Sequence, residues 1–226
     1  MELPGRLLGK ITRKTGRAIS DFKMISEGDR VLVALSGGES SWSLLHALEK
    51  LKSKSPVRFT LSAVTLHHPG FDLSPLREHC QVTGVSCPGV EFPSPYDMQN
   101  ILYETADSGG FNRIALGHNA DDLVETLLVS EFFEGEIKTL PPFETVGCNI
   151  AFIRPLCRVF WREIQDYAAV AGFPCDTSSR PCFPPDFRRE TVRKLLDGLE
   201  GEHSGIKSNL LSSLGRVRER YLLLKK

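Results

Sequence analysis

Arg30–Leu48 reads RVLVALSGGESSWSLLHAL, and its pattern sets the fold class of the chain. Val31–Leu35 is a continuous apolar, β-rich run, as expected of a buried strand. It stops at Ser36-Gly37-Gly38, and the polar cluster Glu39-Ser40-Ser41 opens an amphipathic helix that runs to about Lys52. A strand, a glycine turn and a helix N-terminus in that order make an anion cradle. Glycines let the backbone approach a bulky anion, and the N–H groups of the first helical turn bind it with help from the helix dipole. The ligand this predicts is a phosphate.

Outward from this unit, strands and helices alternate. Phe59–Leu66 (FTLSAVTL) reads as a second strand, ended by His67-His68-Pro69-Gly70. Pro75–Val82 is a short helix, Val85–Glu91 a weak third strand and Asp97–Ser108 a helix closed by Gly109-Gly110. Arg113–Leu116 (RIAL) is a short buried strand, and Gly117-His118-Asn119 turns into a helix at Asp121–Phe133. Crossovers of this length favour parallel pairing, so the expected fold is α/β with a doubly wound, mostly parallel sheet. Ligands in such sheets sit beyond the carboxyl ends of the strands, which places Ser36–Ser41, His67–Gly70 and Gly117–Asp122 at one rim. Past the Pro141-Pro142 hinge, Thr145–Ile153 reads as one strand, Trp161–Ala171 as a helix and 172–185 as a loop. Two helices follow, near Asp186–Leu199 and Ile206–Leu224. The expected organisation is an N-terminal basic amphipathic helix in 1–25, the sheet domain in 26–172 and a C-terminal loop and helical appendage in 173–226.

The N-terminal segment Leu3–Phe22 has two faces at helical spacing. Arg6, Lys10, Arg13, Lys14 and Arg17 share one arc; Leu7, Leu8, Ile11, Ala18, Ile19 and Phe22 share the other. Two readings stay open for the cationic arc: it lies along a nucleic-acid backbone, or it is the solvated face of a docked helix.

Bulk properties narrow the class. The 226 residues carry 28 basic and 28 acidic side chains, so net charge predicts no polyanion partner and only local clusters could. A hydrophobic fraction of 41% supports a real core and excludes the composition of disorder. No apolar run is long enough to span a membrane, and the charged N-terminus lacks a signal-peptide core, so a cytosolic location with no membrane partner is expected. In that compartment the six cysteines (Cys80, Cys87, Cys148, Cys157, Cys175, Cys182) are expected as buried small hydrophobes rather than disulfides. None sits in a C-x-x-C pair.

The glycine loop is neither a Walker A motif, lacking its spacing and lysine, nor G-x-G-x-x-G. A second constellation, Gly117-His118-Asn119-Ala120-Asp121-Asp122 with Glu125, puts three acids at a helix start. Helix capping accounts for them, and so does an acidic rim that could hold Mg²⁺ through Asp121. The order S-G-G-x-x-S after a first strand resembles the pyrophosphate loop (PP-loop) of the N-type ATP pyrophosphatases. The segments GRAISDFKMISEGDRVLVALSGG, AVTLHHPGF, ILYETA, IALGHNADDLVETLLVSEFFEG, LPPF and IRPL together resemble one branch, the tRNA 2-thiocytidine synthetases, in one collinear order over most of Arg6–Gly172. The resemblance implies the adenine nucleotide α-hydrolase-like PP-loop fold, ATP and Mg²⁺ as cofactors and tRNA as substrate. A sulfur-donor protein and a second copy of the chain are further candidate partners. Carried over by position, Ser36, Gly37, Gly38, Glu39, Ser40 and Ser41 form the pyrophosphate loop, and Leu35 and Leu66 contribute backbone near the nucleoside. Gly117 and His118 shape the α-phosphate side, Arg154 lies near the nucleotide, and Asp121 and His118 are the catalytic candidates. Taken alone, His118 reads more readily as a structural turn residue.

The chain departs from that family in two places. The family loop is S-G-G-K-D-S, whereas here Glu39 replaces the lysine and Ser40 the aspartate. An acid about 6 Å from a phosphate charge costs roughly 1–3 kcal/mol. Glu39 could return the lost metal carboxylate from one residue away; otherwise turnover has decayed and the chain is a binding paralogue. The family's iron–sulfur cluster is held by two C-x-x-C pairs, and the first falls on Glu91 and Ser94 here. The second falls near Cys175 and Cys182, out of register. An iron–sulfur cluster is therefore not expected, although Cys175–Cys182 could form a redox pair. Lysidine-forming relatives, which use nitrogen nucleophiles and no cluster cysteines, keep a third chemistry open.

Overall fold

The computed structural model describes residues 3–67, 72–91, 98–147, 149–174 and 186–222. Two compact units emerge: Met1–Asn119 with Pro141–Phe183, and Ala120–Leu140 with Pro184–Lys226.

The first unit holds the sheet. Among the described residues its strands are β1 (Arg30–Leu35), β2 (Thr60–His67), β3 (Gly89–Glu91), β4 (Arg113–Ala115), β5 (Phe143–Val146) and β6 (Ile150–Ile153), in the order β3-β2-β1-β4-β6-β5. All neighbours pair in parallel except the antiparallel β5–β6. The chain fills the sheet from β1 out to β3, then returns to the other side of β1 with β4. Strand order therefore reverses between β1 and β4, and a crevice opens beyond their carboxyl ends. The long crossovers that the sequence shows force this parallel arrangement.

Helices cover both faces. α1 (Leu3–Asp21), α2 (Glu39–Lys52) and α6 (Trp161–Ala171) pack together, while α4 (Met98–Gly109) covers the opposite face. Under α4 lie Leu32, Val64, Ile114 and Phe152, closed by Leu102 and Ala106. In α1 the buried Thr12 and Thr15 hydroxyls donate back to the carbonyls of Leu8 and Ile11, which makes these polar groups tolerable in a core. α3 (Ser74–Thr83) ends at Gly84.

The second unit packs α5 (Ala120–Phe133) against α7 (Phe187–Glu202) and α8 (Ile206–Ser213) through Val124, Leu128, Val192 and Leu196. Asp186 caps α7 by accepting from the amides of Arg188 and Arg189.

Three expectations are corrected. Thr145–Ile153 is not one strand but part of a hairpin: the chain reverses between Val146 and Ile150, and β5 starts earlier, at Phe143. Gly and Asn are turn residues, and they override the apolar run around them. The final helix stops at Ser213 rather than reaching Leu224. There the Ser213 hydroxyl bonds the Leu210 carbonyl and the Gly215 amide bonds Ser212. Phe22 lies past the end of α1 and, instead of joining the core, sits under the Arg158 guanidinium. The expected loop over 172–185 falls mostly outside the described residues. No described helix is long and apolar enough to cross a membrane.

Candidate nucleotide site

β1 delivers the chain to the crevice at Ser36. Gly37 takes φ +75°, a left-handed conformation that favours glycine, and Gly38 caps α2 in an extended conformation. No side chain caps this terminus. The Ser41 hydroxyl donates to the Gly38 carbonyl at 2.8 Å, and the Ser41 and Trp42 amides bond the same carbonyl at 3.1 and 3.3 Å. The N–H groups of Glu39 and Ser40 have no partner within the helix, by helix geometry. Ser36 is exposed, Gly37 and Ser41 are buried, and Gly38, Glu39 and Ser40 are half-buried.

The β4 side closes on this turn. A Cβ added to Gly117 would lie 3.1 Å from the Ser41 nitrogen, 3.2 Å from its Cα and 3.3 Å from the Ser40 carbonyl carbon. Any Cβ here would require one of the two backbones to give by a few tenths of an ångström. Asn119, buried, donates through Nδ2 to the Ser40 hydroxyl at 3.4 Å. The structure thus brings Ser36–Ser41, Gly117 and Asn119 together at the reversal between β1 and β4. His118 is half-buried between Gly117 and Asn119. Leu35 ends β1 and Leu66 is the penultimate residue of β2 on the same rim, and Leu35 pairs in register with Thr65.

Arg154 directly follows β6 and is 2% exposed. Its guanidinium donates to the Pro141 carbonyl at 2.5 Å and to Glu144 at 3.1 Å, tying the Pro141–Glu144 segment to the end of β6. Whatever else it does, it is a strut of the hairpin.

In the second unit, Asp121 pairs with Lys207 at 2.9 Å, and the same ammonium reaches Asp197 at 2.8 Å. Glu125, buried, takes two hydrogen bonds from Arg193 at 2.8 and 3.0 Å and an ion pair from Arg189. It is an anchor of α5 to α7.

The cationic arc of α1 divides. Lys10 and Lys14 pair with Glu163 of α6 at 3.2 and 2.5 Å, and Arg17 reaches Asp21 at 3.8 Å. Burial raises the Glu163 carboxyl's proton affinity, but bonds from Lys14, the Phe160 amide and Lys10 outweigh it and hold the pKa low. Arg13 instead lines a groove of about 400 Å³ with Gly5, Gly9, Gly16, Lys50 and Lys54. Arg6 is exposed, and no ion pair is recorded for it among the described residues. Lys50 and Lys54 were not legible as part of this surface, because their partners on α1 are distant in sequence.

The cysteines partly follow expectation: Cys80 and Cys157 are buried, and Cys87 is half-buried. Cys148, Cys175 and Cys182 lie outside the described residues, as does Ser94. Glu91 ends β3 as an exposed carboxylate. Among the described residues no cluster of three or more His, Cys, Asp or Glu could hold a metal.

No protein-family model matches the chain. The tRNA-cytidine(32) 2-sulfurtransferase of Geobacter sulfurreducens is 38% identical over 237 residues, spanning 95% of this chain and 92% of that protein. Its namesake in Anaeromyxobacter dehalogenans is 37% identical over 252 residues, spanning 96% and 82%. Among solved structures, the U34-tRNA thiolase NcsA from Methanococcus maripaludis, determined with its [4Fe-4S] cluster, matches with a TM-score of 0.77 at 18% identity, covering 94% of this chain and 79% of that one. That likeness speaks to the fold alone, the mostly parallel six-stranded sheet given by the strand order. By identity and coverage together, this chain belongs to the tRNA-cytidine(32) 2-sulfurtransferase family.

Proposed function

We propose that the protein binds ATP at the crevice between β1 and β4 and uses it to adenylate a tRNA cytidine for sulfur transfer. The observation that carries this reading is the uncapped N-terminus of α2, with Gly117 and Asn119 closing on its first turn at the topological reversal of the sheet. In it, Ser36, Gly37, Gly38, Glu39, Ser40 and Ser41 cradle the pyrophosphate portion through backbone N–H groups. Leu35 and Leu66 flank the nucleoside, and Gly117 and His118 shape the α-phosphate side. The cytidine 2-carbonyl oxygen attacks the α-phosphorus, pyrophosphate leaves, and sulfur then displaces AMP. The protein's contribution is positioning and charge neutralisation.

Mg²⁺ prefers hard carboxylate oxygens; Glu39 of the first unit and Asp121 of the second each carry such a group, that of Asp121 being paired with the Lys207 ammonium. When bound, Mg²⁺ would neutralise phosphate charge. An iron–sulfur cluster does not fit the residues, since Glu91 and Ser94 stand where thiolates would be needed, and no step is assigned to one. Arg6, Arg13, Lys50 and Lys54 would follow the RNA backbone, with Lys10, Lys14 and Arg17 already in ion pairs.

A second reading is favoured by the loop itself. Glu39 and Ser40 put a negative charge where a lysine would help and remove an aspartate, as in a protein that binds nucleotide or RNA without turnover. Pyrophosphate release from ATP, with and without bulk tRNA, separates the two. Release that depends on tRNA, with 2-thiocytidine found among the digested nucleosides, supports the first. Bound ATP with no release under either condition leaves the second.

A further inference from the structure

Cys80 and Cys87 are not among the residues assigned to the nucleotide site, although Cys87 touches Thr65, the register partner of Leu35, and they are not the positions where the family resemblance expects cysteines. Cys80 lies in α3; Gly84 ends the helix, and the Val85 amide bonds back to the Cys80 carbonyl at 3.2 Å. The chain then runs beside β2, held where the Ala63 amide bonds Ser86 and the Thr65 amide bonds Pro88, both at 3.0 Å. Cys87 is fixed between those two bonds. Its sulfur lies 3.1 Å from the Thr65 hydroxyl, and the Cys80 and Cys87 thiols share a hydrogen bond. Cys80 is 2% exposed, whereas Cys87 is half-buried. Cys87 is therefore the less buried of the two hydrogen-bonded thiols.

We propose that Cys80 and Cys87 form a thiol–disulfide exchange site for low-molecular-weight disulfides, with Cys87 as attacking sulfur and Cys80 as resolving sulfur. The surroundings assign these roles. The Cys80 hydrogen bond lowers the Cys87 pKa, and against the cost of burial the Thr65 hydroxyl and the Arg77 charge lower it further, to about 7. The same hydrogen bond, burial and the Cys87 charge push Cys80 far above the usual thiol range. An attacking thiol is most effective with a pKa near the ambient pH, in a partly exposed, electropositive setting.

The reaction balances. The Cys87 thiolate attacks one sulfur of RSSR, that S–S bond breaks and RS⁻ leaves, giving a mixed disulfide. Cys80 gives its proton to the departing thiolate and attacks the Cys87 sulfur, releasing the second RS⁻. The protein dithiol loses two electrons and RSSR gains them. Nucleotide and RNA binding play no part, so the inference stands apart from the function proposed above.

The test is differential alkylation and peptide mapping of the full chain at pH 7. Cys157 is the internal reference, a buried thiol pushed up to about 11 by its burial. Thiolate fraction and nucleophilicity together predict that iodoacetamide labels Cys87 roughly 100-fold faster than Cys157. Oxidised glutathione should then give an intramolecular Cys80–Cys87 disulfide. Cys80→Ser should stop at glutathione on Cys87, and Cys87→Ser should leave Cys80 unmodified. Equal labelling of Cys87 and Cys157, or a wild-type chain that stops at the mixed disulfide, overturns the proposal, and neither result needs a variant to fold.

Discussion

Gly117 presses on Ser41: a single added carbon would lie 3.1 Å from the Ser41 nitrogen and 3.2 Å from its Cα. The contact is backbone against backbone, so no side-chain rotation relieves it. Gly117→Ala is expected to destabilise the chain by about 1–3 kcal/mol through overpacking. It should weaken ATP binding more than a substitution outside the crevice does. Urea unfolding and nucleotide titration check this; a variant with unchanged stability and affinity would show that the two segments are not packed as described.

In the proposed nucleotide site Glu39 would oppose a bound phosphate. Glu39→Lys should tighten ATP by roughly 1–3 kcal/mol at low salt, an effect that shrinks as salt screens the charge. Calorimetry at two ionic strengths reads both. If affinity stays the same, the loop does not hold the phosphates.

The Arg154–Glu144 pair predicts an asymmetry. The Arg154 side chain is 3% exposed and that of Glu144 45%. Arg154→Met strips the Pro141 carbonyl of its donor inside the fold and should cost about 2–4 kcal/mol. Glu144→Gln should cost less than about 1 kcal/mol, because water replaces the lost charge. Comparable losses in the two variants would contradict this.

His46 predicts a pH dependence. Its Nδ1 lies 2.7 Å from the Tyr167 hydroxyl and its Nε2 3.0 Å from His79 Nε2, so protonating both rings would set two N–H groups against each other. Burial first, and then the His79 charge, lower its pKa from 6.5 to about 4. Between those values the unfolded chain holds the extra proton. This contribution to stability is complete above about pH 6.5 and lost as pH falls towards 4, on the order of 2–3 kcal/mol. NMR titration of the imidazole checks it; a His46 midpoint above pH 6 would refute it.

Glu163 restrains the α1 cations. Glu163→Gln releases Lys10 and Lys14, which should strengthen RNA binding and steepen its dependence on log salt by up to about 2. An unchanged slope would mean that this arc does not meet the RNA backbone.

Much of the sheet was legible because each signal was local. The apolar run Val31–Leu35, the Ser36-Gly37-Gly38 stop and the start of α2 are consecutive, and Trp161–Ala171 carries its own periodicity and its Gly172 stop. The misread elements failed where a short-range rule beat a pattern. Gly147 and Asn149 split an apolar run into a hairpin, and Gly215 with its neighbouring serines cut short a helix that its flanking apolar residues seemed to extend. In the site, the glycine loop and the Gly117–Asp122 segment could be named from order alone. Their contact through Gly117 and Asn119 could not, since it joins residues nearly eighty positions apart.

By itself the sequence determined the parallel α/β class, the glycine loop at the end of β1 and the family to which the chain belongs. Those are properties of runs of neighbouring residues, where spacing and side-chain type suffice. Only the tertiary structure decided which charges remain available and which sulfurs meet. Glu163 reaches Lys10 and Lys14, Lys207 reaches Asp121, and the Thr65 hydroxyl, from a neighbouring strand, meets Cys87. Ion pairs and hydrogen bonds act over a few ångströms, and only folding brings residues distant along the chain within that range.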